Sequence, residues 1–250
     1  MQSSFSNEFG NSPLEVRGIN IELINTGKRF NRDWIFRHLN YTFQQGISYA
    51  ITGPNGSGKS TLLQTIAGAI ASSEGTVEYF TNEGIANREL GISKTIAQHK
   101  TQNTKLETQN LSLTTENIYN HIAIVAPYLE VIEEMTAVEF LHFHNSFKPI
   151  LPTIPVNQIL EIVGLRIAAH KQIRYYSSGM KQRIKLAQAI FSDVPILLLD
   201  EPCTNLDSHG YDLYHQLIND YCKNKLIIVS SNDVNEYDFC AEKLSILDYK

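Results

Sequence analysis

The residues with the clearest chemistry are Gly53-Pro54-Asn55-Gly56-Ser57-Gly58-Lys59-Ser60, which fit GxxxxGK[ST]. They follow an apolar run, Ile47 to Thr52, that reads as a strand, and they open a run from Lys59 to Ile70 with Leu62, Leu63, Ile66 and Ala67 at helical spacing. A strand, a Gly-rich turn and a helix in direct succession are what a nucleotide phosphate loop requires. The glycines let the loop curl with successive N–H groups pointing inward, and the helix N-terminus adds its positive end. Lys59 supplies a point charge for the β and γ phosphates, and Ser60 offers a hydroxyl to Mg2+.

A second segment, Ile196-Leu197-Leu198-Leu199-Asp200-Glu201, runs four aliphatic residues into two carboxylates. The aliphatic run suits a strand buried on both faces of a parallel sheet, and open α/β sheets place ligands at the carboxyl ends of their strands. Asp200 then reads as the acid on the Mg2+ side. Glu201 reads as the base that orients and deprotonates a water for in-line attack on the γ phosphate. A third segment, Tyr176-Ser177-Ser178-Gly179-Met180, stands at the head of an amphipathic helix and is followed by Lys181-Gln182-Arg183. Ser and Gly at a helix N-terminus make another anion site, or simply an N-cap.

In this order these segments resemble the ATP-binding cassette (ABC) ATPases, from about Ile19 to Leu247. Tyr176 to Met180 resembles a variant of that family's LSGGQ signature. The resemblance implies that Ser177 and Gly179 contact the γ phosphate of ATP held in the loop of a second ATPase chain. Each chain would then carry two incomplete halves of a site, which predicts a dimer, taken here as a homodimer. Thr61 is carried over with the phosphate loop as a nucleotide contact. Phe30, in Lys28-Arg29-Phe30, matches the aromatic that stacks on adenine, with Trp34 close by and an ordinary core or surface aromatic as the alternative. Asn205-Leu206-Asp207 matches the D-loop, although Asp207 equally reads as a helix N-cap.

Two positions depart from the family pattern. Ala126-Pro127-Tyr128 stands where a glutamine that binds Mg2+ and water is expected, and a neutral phenol is a poor Mg2+ ligand. Asn232, in Ser230-Ser231-Asn232-Asp233, replaces the switch histidine; its amide can donate to the γ phosphate but cannot be protonated. With Lys59, Asp200 and Glu201 intact, hydrolysis is expected to be slower than in a member carrying both residues, and not absent.

The elements needed to hold these residues define the expected fold class. It is an α/β P-loop NTPase with an N-terminal antiparallel β portion and an inserted helical subdomain, forming one domain over residues 1–250. Ile19 to Ile24 and Leu39 to Phe43 alternate as strands, and Leu226 to Val229 reads as a buried one. The helical subdomain is expected at about 128–176, broken by Pro149, Pro152 and Pro155. Residues 82–120 are expected to be an exposed polar insertion, because in Thr101 to Asn120 five Thr, four Asn, two Gln and one Ser leave little to bury. His142 and His144, two apart, do not share a helix face and are not expected to bind metal. Arg166, His170, Lys171 and Arg174 read as a solvated basic face.

Composition sets the outer limits. The 250 residues are 42% hydrophobic and 19% charged with a net charge of -5, which is ordinary globular composition and disfavours a broad grip on nucleic acid. No apolar run approaches the roughly 18 residues a membrane-spanning helix needs. Met1 to Gly10 lacks a basic segment followed by an apolar one, so no secretory signal is expected and the cytoplasm is. Cys203, Cys222 and Cys240 fit no disulfide framework or metal site. The resemblance implies the ATPase subunit of an ABC transporter, peripheral on the inner face of the membrane, serving a separate permease that docks beside Tyr128 to Phe143. The rivals are an ABC protein acting on DNA or ribosomes and an ATP-dependent switch with vestigial turnover.

Overall fold

A computed structural model describes residues 18–81 and 113–250. Eight strands follow in order: β1 (Ile19–Phe30), β2 (Asp33–Phe43), β3 (Ser48–Thr52), β4 (Glu74–Thr81), β5 (Ile122–Val125), β6 (Ile196–Asp200), β7 (Leu226–Ser230) and β8 (Glu242–Ser245). Among the described residues five α-helices accompany them: α1 (Lys59–Ile66), α2 (Ala137–Phe147), α3 (Val156–Ile162), α4 (Ser178–Ile190) and α5 (Ser208–Tyr221). The strands form two sheets. An antiparallel sheet has the order β2-β1-β4, and a sheet of five has the order β5-β6-β7-β3-β8, with every pairing parallel.

The strand period of two divides the parallel sheet between two cores. Ile51, Ile122, Ile196, Leu198 and Ile228 point to a cluster shared with α1 and with Ile21, Leu23, Phe36 and Phe43 of the antiparallel sheet. Val125, Leu197, Leu199, Ile227 and Val229 point to the other face, where α2, α3, α4 and α5 supply Leu141, Leu160, Ile184 and Leu217. The four-residue aliphatic run of β6 is therefore buried on both sides, as the sequence predicts. β4 and β8 were not anticipated; each is defined by its pairing with β1 and β3 respectively.

The helical subdomain lies between β5 and α4. α2 begins with a reciprocal cap: Thr136 Oγ1 accepts from the Glu139 N–H at 3.2 Å, and Glu139 Oε2 accepts from the Thr136 N–H at 2.8 Å. α3 starts directly after Pro155, where a fixed φ suits a helix entrance. α1 is shorter than its apolar spacing suggests, because Gly68 turns left-handed at φ 71 just past its end. The 82–112 part of the expected insertion lies outside the described residues. The chain after it rejoins the core sooner than expected, since Ile118 is fully buried beside Tyr79 and Gly68.

Candidate functional site

In the parallel sheet β7 lies between β3 and β6, so the phosphate loop at the end of β3 and Asp200 at the end of β6 stand two strands apart. At one strand spacing each that is roughly 10 Å, with the carboxyl end of β7 between them. The loop keeps its shape through glycines that other residues could not replace. Gly58 has φ 97, and a Cβ there would lie 2.2 Å from Ile35 Cγ2; Gly53 has φ 150 and is crowded by Ser57 and Ile246. Gly56, at φ 75, faces open space. Pro54, Asn55 and Gly56 are exposed at the rim, whereas Ser57 and Lys59 are buried.

Lys59 is 5% exposed, and its ammonium donates to the Gly53 carbonyl at 2.9 Å and the Pro54 carbonyl at 3.2 Å. Both acceptors are neutral, so the buried charge is left for an anion to neutralise. Ser57 Oγ is buried with no hydrogen-bond partner among the described residues, an arrangement that a phosphate oxygen would satisfy. Behind the loop, Lys250 Nζ donates to the Ile35 carbonyl at 2.9 Å and the Ser57 carbonyl at 2.6 Å, tying β2 to the loop. Ser60 and Thr61 follow in the first turn of α1, both part-exposed.

Asp200 is 2% exposed and accepts from Ser230 Oγ at 2.7 Å, which fixes one carboxylate oxygen and leaves the second for another partner. Glu201 is the unusual residue of the site. It has φ 44, a left-handed conformation that costs a non-glycine residue about 1 kcal/mol. Its N–H donates to the Ser230 carbonyl at 2.9 Å, and its own carbonyl accepts from Thr204 N at 3.2 Å and Thr204 Oγ1 at 2.9 Å. This turn breaks the strand alternation, so Asp200 remains buried while Glu201 is part-exposed.

Tyr128 lies near this cluster. Burial raises the pKa of its phenol, a hydrogen bond from Gln64 acts the other way, and the nearby Asp200 carboxylate raises it further. The phenol is thus neutral and is held by α1 on the Asp200 side of the site. Asn232 is exposed two residues past β7. Phe30 is 50% exposed with Lys28 Nζ 5.1 Å from its ring centre, whereas the part-exposed Trp34 has the guanidinium groups of Arg29 and Arg37 at 5.5 and 4.1 Å from its own. Phe30 is therefore the more exposed of the two rings, with one cation against it where Trp34 has two.

Ser177 caps α4, its Oγ accepting from the Met180 N–H at 3.2 Å. A Cβ on Gly179 would lie 3.1 Å from the Asn205 carbonyl, so the signature helix meets the Asn205-Leu206-Asp207 turn at its glycine. Asp207 does cap α5, accepting from Gly210 N at 2.8 Å, and it pairs with Arg183 of α4 at 3.6 Å. Sequence reasoning missed Gln64, Gln182, Ser230, Glu236 and Lys250, since each acts through a partner distant in sequence. His144 is structural: it bonds Ser192 Oγ at 2.8 Å and Gln188 Nε2 at 3.0 Å. Among the described residues no group of three or more His, Cys, Asp or Glu side chains could hold a metal alone. Ser60 and Asp200 do offer hard oxygen donors, which suit Mg2+ completed by phosphate oxygens and water.

Residues 36–204 match the family model described as ABC transporter. Over 213 residues the chain is 28% identical to the uncharacterized ABC transporter ATP-binding protein YybJ of Bacillus subtilis, covering 85% of each chain. Over 180 residues it is 30% identical to the cytochrome c biogenesis ATP-binding export protein CcmA of Xylella fastidiosa, covering 72% of this chain and 68% of that one. A solved structure of the ATP-binding subunit of an ABC transporter superposes with a TM-score of 0.66 at 18% identity, covering 90% of this chain and 85% of that one. A bacterial Atm1-family exporter with ATP bound superposes with a TM-score of 0.70 at 17% identity, covering 93% of this chain and 38% of that one.

Proposed function

Given that the chain belongs to the ABC transporter family, as an ATP-hydrolysing subunit that powers transport, we propose that two copies close around two ATP molecules and drive a separate membrane permease. The observation that carries this reading is the pairing of an anion-ready loop with an acid pair at strand ends on either side of β7. Lys59 and the unpartnered Ser57 Oγ face phosphate on one side, and Asp200 and Glu201 stand on the other.

Each residue has a task in this reading. The backbone N–H groups between Asn55 and Ser60 and the Lys59 ammonium would bind the β and γ phosphates; Phe30 would stack on adenine; Ser60 and Asp200 would hold Mg2+. Mg2+ supplies charge neutralisation at the phosphates when bound. Glu201 orients a water in line with the γ phosphate and takes its proton. Ser177 and Gly179 of one chain, and Asn232 of the loop's own chain, donate to the same γ phosphate. Closure of the dimer would follow from these contacts, and reopening from the loss of the γ phosphate.

The permease contact has a surface to match. Tyr119, Tyr128, Leu129, Phe143 and Phe147 are exposed, and a groove of about 500 Å³ runs between Gln64, Gly68, Tyr119, Tyr128, Leu129 and Lys148. An exposed apolar cluster of this kind suits an amphipathic helix laid into a groove. No helix among the described residues is long and apolar enough to cross a membrane, which is consistent with a peripheral position on the inner membrane face.

The test is recovery of the tagged chain from detergent-solubilised native cells, with Glu201→Gln in ATP compared with wild type and partners identified by mass spectrometry. A multi-span membrane protein is expected, more strongly with the variant; ribosomes or DNA-bound proteins in its place would overturn the transport reading. In the purified protein Glu201→Gln should lower phosphate release by about 100-fold to 10,000-fold with ATP affinity unchanged.

A further inference from the structure

The peptide that joins Pro202 to Cys203, immediately after Glu201, is held at both ends by buried side chains from different parts of the chain. Its carbonyl, on Pro202, accepts from Gln182 Nε2 of α4 at 2.6 Å. Its N–H, on Cys203, donates to Glu236 Oε1 at 2.7 Å. Gln182 is 4% and Glu236 3% exposed, so water does not compete for either bond. A single peptide plane gripped from opposite directions cannot rotate, and it is joined through Pro202, whose ring fixes φ, to Glu201 with its left-handed φ of 44. That conformation persists only if its surroundings impose it.

Glu236 is itself fixed. Its backbone carbonyl accepts from Tyr214 Oη of α5 at 2.9 Å, and its carboxylate also takes a hydrogen bond from the side chain of Ser231, next to Asn232. Burial raises the pKa of this carboxyl and makes it a costly choice where a neutral acceptor would serve, yet its bond to the Cys203 N–H is short at 2.7 Å.

We propose that Glu236 is a positioning residue for ATP hydrolysis, holding the Pro202–Cys203 peptide so that Glu201 stays in its reactive conformation and linking it to the Asn232 side of the γ-phosphate site. Gln182 is the opposing half of the clamp, which joins Glu201 to the signature helix. The inference rests on Glu201 as the base.

The experiment is steady-state phosphate release with Mg-ATP on the full chain, with nucleotide affinity and thermal unfolding measured in parallel. Glu236→Ala should lower kcat by about tenfold to 100-fold while KM and ATP affinity stay within about twofold, because an ångström of misplacement costs the chemical step and not binding. Glu236→Gln, whose amide oxygen can accept from the same N–H, should recover most of the lost rate. A Glu236→Ala variant with wild-type kcat, or one in which kcat and ATP affinity fall together and Glu236→Gln recovers neither, overturns the proposal. If Glu236→Ala does not fold, Glu236→Asp, one methylene shorter, should lower kcat with KM unchanged, and an unchanged kcat overturns it. Glu201→Gln run alongside separates the two ideas. If it turns over normally, the base assignment and this proposal both fall; if it is inactive while Glu236→Ala is not, this proposal alone falls.

Discussion

Asn232 presents an uncharged amide to solvent two residues beyond β7, next to Ser231, which is fully buried and whose Oγ accepts from the Asp233 N–H at 2.9 Å. The backbone there is anchored, since Ser231 N donates to the Ile51 carbonyl at 3.3 Å, just before the phosphate loop. In the proposed site, the side chain that extends from this anchor would set the hydrogen bond to the γ phosphate. An amide donates as a neutral group, whereas a protonated imidazole donates with a charge and would gain about 1.4 kcal/mol, or tenfold. Asn232→His is therefore expected to raise kcat by about tenfold with ATP affinity nearly unchanged, measured by phosphate release. An equal rate in the two proteins would show that Asn232 does not touch the phosphate. Tyr128 is the second altered position. Its phenol is kept neutral by burial and by Asp200, so it can bridge Gln64 to the site by hydrogen bonds but adds no charge there.

At the scale of elements, α2 and α4 are joined by a part-buried polar contact at His144, whose ring bonds Ser192 Oγ and Gln188 Nε2. Burial, and then the nearby Lys148, push the His144 pKa down to about 4. The fold thus holds the neutral ring, while the unfolded chain takes up the proton near pH 6.5. The stability this group contributes is fully present above pH 6.5 and is lost as pH falls toward about 4. Denaturant unfolding followed between those limits should show a steeper loss in wild type than in His144→Gln; parallel curves would remove His144 as the cause. The same elements show what the sequence could reveal. β3, α1, α4 and β6 were legible because each carries its own period and borders a chemical motif. β4 and β8 were not, since Glu74-Gly75-Thr76 and Glu242-Lys243 become strand by pairing with β1 and β3. Within the site, Lys59, Asp200 and Glu201 were legible by type and position. The supports at Gln182, Glu236 and Lys250 were not, because a buried hydrogen bond between residues 33 apart, such as Cys203 to Glu236, leaves no local pattern.

For the whole molecule, the arrangement of half-sites is decisive. The phosphate loop follows β3, and the Ser177–Gly179 cap begins α4, which packs on the opposite face of the parallel sheet from α1. In the proposed dimer, a loop and a cap separated in this way would combine by pairing across a twofold axis, loop of one copy against cap of the other. That geometry makes a prediction that no single-chain site shares. Lys59→Ala removes the ammonium that meets the phosphates, and Gly179→Asp places a carboxylate against them while crowding the Asn205 carbonyl 3.1 Å away. Each variant alone spoils both sites of its homodimer and should be inactive. Mixed in equal amounts, half of the dimers hold one chain of each kind. In those, the damaged loop faces the damaged cap, and the intact loop faces the intact cap. One working site per mixed dimer predicts recovery of about a quarter of the wild-type rate. Size-exclusion chromatography of the Glu201→Gln chain in ATP should show the closed dimer directly. If mixing the two inactive chains restores no phosphate release, each chain carries its site alone, and the assignment of Ser177 and Gly179 to the partner's ATP is wrong.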